Sequence, residues 1–129
     1  MGINRALNIG VVDTCFKPNG WGNIIYRKRV NNLKPLYRVW MYLDGHDVHY
    51  VKRVRYVLHS SFSNPVKIVD RSPSNPNCIF SFWTWGVFIV KVIVEDKFGT
   101  SHTFEHKLTY GQFISGEDVQ FVDAPSDFE

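Results

Sequence analysis

Between positions 51 and 58 apolar and charged residues alternate: Val54, Tyr56 and Leu58 fall on one side of the chain, Arg53 and Arg55 on the other. That period of two predicts a strand with one face in a core and one in water. The same pattern returns at Phe88, Val90, Val92 and Val94, opposite Lys91 and Glu95. Asp96-Lys97-Phe98-Gly99 then predicts a hairpin turn into residues 101–110, where His102, Phe104, His106 and Leu108 alternate with Thr103, Glu105 and Lys107. Shorter strands are predicted over residues 6–12, broken at Gly10, and over 24–30, 37–43, 66–69 and 78–82. Turn residues at 17–22, 31–35 and 44–45 separate them, and Pro73 and Pro76 make 71–77 a loop, because proline cannot donate into a ladder. No helical period is present. Seven or eight short antiparallel strands of this kind predict an all-β chain folded as a two-sheet sandwich.

Composition narrows the class without changing it. The 129 residues, 44% hydrophobic and 16% aromatic, suffice for one domain with a core that needs neither disulfide nor metal. The expected domain spans residues 1–122, with 123–129 as an acidic tail. Cys15 and Cys78 are isolated, in no metal-ligand or redox spacing, and are expected reduced and packed. Net charge is +3 but uneven: ten Lys/Arg against three Asp/Glu up to residue 60, then five against nine. The basic runs Arg27-Lys28-Arg29 and Lys52-Arg53-x-Arg55 could meet nucleic acid or an acidic peptide, but charge on the outer face of a half-exposed strand also keeps a sheet soluble. With no apolar leader and no window of 18 apolar residues, the expected compartment is the cytoplasm and no membrane partner is expected.

Catalytic signatures are thin. Ser60, Ser61 and Ser63 lie near His59, but no Gly-x-Ser-x-Gly or orienting acid accompanies them, so the chain is read as not an enzyme. His102 and His106 are four apart on a strand, about 13 Å, too far to chelate one ion. Phosphate and dinucleotide loops are absent, and no metal or cofactor is called for.

Two loop-like pieces remain: Leu58-His59-Ser60-Ser61-Phe62-Ser63-Asn64-Pro65 and Phe82-Trp83-Thr84-Trp85-Gly86-Val87-Phe88. The first brings a histidine, a hydroxyl and a ring together ahead of an Asn-Pro turn; the second is an aromatic-Gly-x-aromatic cluster. Together they could form an aromatic slot. Val54-x-Tyr56-x-Leu58-His59-x-Ser61-Phe62-x-x-Pro65, followed by Trp85-Gly86-x-Phe88 and a Val/Ile strand, resembles the YEATS domain over about residues 37–108. The Leu-Asp-Gly end of the third strand and the short 96–99 hairpin make it look closer to the prokaryotic branch.

The resemblance implies an immunoglobulin-like sandwich that reads acylated lysine, of acetyl or crotonyl type, in an aromatic channel at one end. By motif position, Phe62 and Trp85 would sandwich the planar amide, and His59 would orient the Ser61 hydroxyl toward it. Gly86 would leave the backbone open for a main-chain amide to bond the acyl carbonyl, and Phe88 would form part of the wall. The implied partner is an acylated protein or peptide, or a small acyl ligand, within a larger system. The chain departs from the family at Thr84, where members usually have Gly, so a narrower or closed slot is one expectation. Leu36, Tyr37 and Trp40 all stay open as lining residues. The alternative is a protein-interaction sandwich with its aromatic cluster packed shut, binding through a sheet edge or the basic face; nucleic acid ranks third.

Overall fold

The computed structural model describes residues 7–16, 24–28, 35–62, 64–84, 86–110 and 120–124. Among them the strands are β1 (Gly10–Thr14), β2 (Ile24–Lys28), β3 (Leu36–Asp44), β4 (Val51–Val57), β5 (Val66–Asp70), β6 (Phe80–Thr84), β7 (Ile89–Asp96), β8 (Ser101–Lys107) and β9 (Gln120–Asp123). They form two sheets. The first is built on β3, the longest strand: β6 pairs along one edge, while β2 and β1 follow one another along the other. Strand β9 extends this sheet beyond β2. The second sheet runs β5-β4-β7-β8, antiparallel throughout.

The alternation read from the sequence explains the core. Val39, Met41, Leu43 and Phe82 from the first sheet meet Val54, Tyr56, Val90, Val92 and Val94 from the second, all buried. Arg53 and Arg55 face water. Two-sheet packing with inner residues of both sheets interdigitated is the expected immunoglobulin-like sandwich. Cys15 and Cys78 are free and buried, and burial pushes both thiols up to about 11, so neither is a thiolate at neutral pH.

Details differ from the sequence reading in three places. Nine strands are present among the described residues rather than seven or eight, and β9 pairs with β2 in parallel. Its four residues are too short to show a period, and what places them is tertiary: Arg27 lies over the Phe121 ring and bonds Asp123 at 2.5 Å, and Ala124 donates its N–H to the Arg27 carbonyl. Strand β1 begins at Gly10 because Asn8 is used elsewhere, bonded through its backbone and side chain to the 44–47 turn. Third, Phe82, Trp83 and Thr84 belong to β6, paired with Val39, Arg38 and Tyr37, so these three residues are strand and not loop.

Candidate functional site

Strand β4 ends and β7 begins at the same end of the second sheet, and there the two loops meet. Past Val57 the chain turns back on itself: Leu58 donates its N–H to the Pro65 carbonyl at 2.7 Å, and Phe62 to that of His59 at 3.1 Å. This turn leaves His59 and Ser61 exposed and tucks Phe62 inward. Just before β7, Phe88 comes to meet it, with ring centroids 5.6 Å apart. Phe82 lies 5.9 Å from Phe62 and 6.3 Å from Phe88, and stacks in turn on Phe80, which packs against Tyr56. The aromatic cluster is thus the surfacing end of a column of rings rooted in the core, in tilted and edge-on contacts that favour fixed ring positions.

Between the loops lies a cavity of about 200 Å3 lined by His59, Ser61, Phe62, Thr84, Gly86, Val87 and Phe88. It holds no Asp, Glu, Lys or Arg among its described lining residues. His59, Ser61, Phe62, Gly86 and Phe88 are therefore brought together as their spacing suggested; Trp85 lies outside the described residues. Leu36, Tyr37 and Trp40 are not among the described lining residues: Tyr37 packs against Tyr110 and Phe121, and Trp40 against Tyr26 and Arg38.

The polar groups at the mouth have a defined sense. The Ser61 N–H donates to His59 Nδ1 at 3.1 Å, which makes Nδ1 the unprotonated nitrogen, and the Ser61 Oγ lies 2.8 Å from the same atom. The hydroxyl must then give its hydrogen to the ring, and its lone pairs remain to accept from a third group. At the far side, the buried Thr84 hydroxyl donates to the Gly86 carbonyl at 3.2 Å and accepts the Gly86 N–H at 3.4 Å. Thr84 does not fill the cavity; it lines it, and its hydroxyl fastens the loop. A Cβ at Gly86 would meet nothing within 4 Å, so packing in the protein itself does not demand glycine there.

Sequence reasoning missed Thr84 in this role and missed Tyr110 altogether. Tyr110 is buried past the end of β8, and its hydroxyl donates to the Gly86 carbonyl at 2.8 Å. Burial pushes its phenol up to about 12, the Thr84 hydroxyl acting in the opposite sense, so it stays a donor at neutral pH. Behind it, Asp13 accepts the N–H of Tyr110 at 2.8 Å, the N–H and hydroxyl of Thr109, and His106 Nε2 at 2.6 Å. Burial opposes the charge on Asp13, but the bonds from His106 and Thr109 outweigh it and hold its carboxyl below the ordinary 3.8. His102 is engaged in the same way with Asp96, at 2.9 Å. Both histidines of β8 are thus spoken for by carboxylates.

The sequence profile of the prokaryotic YEATS domain matches residues 37–109, more than half of the chain. Solved structures agree on the fold. The Yaf9 YEATS domain recognising an H3K122suc peptide is 18% identical, covering 88% of this chain and 82% of that one with a TM-score of 0.53. The yeast AF-9 homologue Yaf9 is 19% identical over 81% of this chain and 72% of its own, with a TM-score of 0.50. No curated protein matches the chain. With a profile match over both loops and the sheets that carry them, the chain belongs to the prokaryotic YEATS domain family.

Proposed function

We propose that this domain is a non-catalytic recognition module whose cavity binds an acylated lysine of acetyl or crotonyl type. The observation that carries this reading is the His59–Ser61 pair. Its hydroxyl, with its hydrogen committed to His59 Nδ1, presents an acceptor at the mouth of an apolar cavity, and the complement of such a site is an N–H donor on a flat neutral group. An amide fits. Its plane lies against Phe62, with Trp85 assigned to the opposite face by the sequence motif and Phe88 as part of the wall, each stacking ring adding about 0.5–1.5 kcal/mol beyond area burial. An unmodified lysine could also donate to Ser61, but its ammonium would lose water among rings with no carboxylate in the described lining, which is strongly unfavourable. The Yaf9 YEATS domain is described as recognising a succinyl-marked histone peptide, which supports an acylated side chain as the ligand class. The described lining residues of this chain include no lysine or arginine to match a succinyl carboxylate, so neutral acyl groups are preferred.

Titrating acetyl-, crotonyl- and unmodified-lysine peptides against the wild type, Ser61→Ala, Phe62→Ala and Trp85→Ala tests this. The acylated peptides should bind saturably and the unmodified one should not. Ser61→Ala should weaken binding by about 1–3 kcal/mol, the cost of leaving a desolvated amide unpaired. Equal binding of all three peptides, or of none, would refute the reading.

A second reading rests on β5, an edge strand whose Val66 and Ile68 are 46% and 57% exposed. An extended partner strand could add there. Such binding would be indifferent to lysine acylation and to Phe62→Ala.

A further inference from the structure

We propose that Tyr110 is a positioning residue of the cavity, fixing the Gly86 backbone in the conformation that receives the ligand; the statement about ligand rests on the acyl-lysine reading above. Gly86 has open space around its Cα and is the most permissive residue type, so nothing in its own packing selects one conformation. What selects it is two hydroxyls. Thr84 and Tyr110 both donate to its carbonyl, and Thr84 also takes its N–H, so the peptide planes on both sides of Gly86 are held by side chains from outside the loop. Because the peptide unit is planar, orienting the carbonyl orients the following N–H as well.

Of the two, Tyr110 is the firmer anchor. Thr84, at the end of β6 and only two residues from Gly86, bonds the carbonyl at 3.2 Å, whereas Tyr110 bonds it at 2.8 Å from 24 residues away. Its backbone is held by Asp13 of β1 at its N–H and by the thiol of Cys15, just past β1, at its carbonyl, and its ring lies against Tyr37 of β3. At 2% exposure no bulk water can take the place of its hydroxyl. A fixed loop binds without first losing its freedom, and so the hydroxyl acts on affinity without touching the ligand.

The test compares Tyr110→Phe with Tyr56→Phe. Tyr56 is an equally buried tyrosine whose hydroxyl donates to the Cys78 carbonyl at 2.8 Å, outside the cavity lining. Three readouts are taken: the carbonyl 13C shift of Gly86, hydrogen exchange of the Val87 and Phe88 amides, and affinity for a crotonyl-lysine peptide. Tyr110→Phe should move the Gly86 shift, speed exchange at 87 and 88, and weaken the peptide about 3- to 10-fold, the scale of one neutral hydrogen bond. Tyr56→Phe should lower the melting temperature and leave all three unchanged. An unmoved Gly86 shift with wild-type exchange in Tyr110→Phe, or the same changes in both variants, overturns the proposal. Should the wild type bind no acylated peptide, the ligand reading fails, while the shift and exchange still decide whether Tyr110 positions the loop. If Tyr110→Phe does not fold, Thr84→Val removes the other hydroxyl from the same carbonyl. Faster exchange at 87 and 88 then supports a side-chain-held loop, and wild-type exchange overturns it.

Discussion

Ser61 and His59 work as one unit: the ring nitrogen that receives the Ser61 N–H also receives its hydroxyl hydrogen, and the acceptor left over faces the cavity. That unit was suggested in the sequence by the family resemblance, its members lying two positions apart ahead of the Asn64-Pro65 turn. Tyr110 was not legible, because its partner Gly86 is brought to it only by the packing of the whole sandwich. The bonding role of Thr84 was not legible either: beside a glycine pattern its side chain reads only as bulk in the slot, whereas its hydroxyl is bound to the Gly86 backbone. Gly86 offers a clean separation of fold from binding. With no atom within 4 Å of an added Cβ, Gly86→Ala should leave the melting temperature within about 2 °C, corresponding to a surface-like change of about 0.5 kcal/mol. A weakened acyl-peptide affinity in that variant would locate the ligand against the Gly86 Cα; thermal melts and a titration on one sample decide both points.

Strands β4 and β7 were readable because each has one face in the core and one in water, so their composition alternates. Strand β6 was read only as far as Phe82: Phe80, Phe82 and Trp83 put rings on both faces, and the outward Trp83 is covered by Lys28 at 4.6 Å and Arg38 at 5.7 Å instead of lying in a loop. These cations explain part of the basic composition without a nucleic-acid ligand, as do the surface pairs Arg27–Asp123 and Arg53–Asp70. The β3–β4 connection shows where glycine is required. Gly45 has φ +128°, and a Cβ there would collide with the Asn8 carbonyl that bonds the Asp47 N–H. Gly45→Ala should therefore cost at least about 1 kcal/mol, seen as a lower denaturant midpoint, in contrast to Gly86→Ala. An unchanged midpoint would mean that the 44–47 turn is not held against Asn8 in solution.

Across the whole molecule, two carboxylates fix the chain, one between distant segments and one within a hairpin. Asp13 joins β1 to the chain after β8, and Asp96 closes the β7–β8 hairpin through Phe98, Thr100 and His102. For both, burial raises and hydrogen bonding lowers the carboxyl, with a net fall below 3.8. A group whose folded value is depressed contributes its full stabilisation above the unfolded value and loses it as pH falls through the folded one. The melting temperature should thus hold above pH 3.8 on account of these two groups and drop below it, and Asp13→Asn should start lower at neutral pH with a shallower acid limb. An acid limb unchanged by that substitution would remove Asp13 from the linkage. Its consequence reaches the cavity, since Asp13 carries the Tyr110 backbone and Tyr110 carries Gly86. The most direct measurement is an amide-resolved NMR titration of the folded domain with a crotonyl-lysine peptide. Saturable shifts concentrated at residues 59–62 and 84–88, absent with the unmodified peptide, are the predicted result. Shifts that gather instead on β5 or on the outer faces around Lys28, Arg38, Arg53 and Arg55, or that appear equally with unmodified lysine, would contradict acyl-lysine recognition at this cavity.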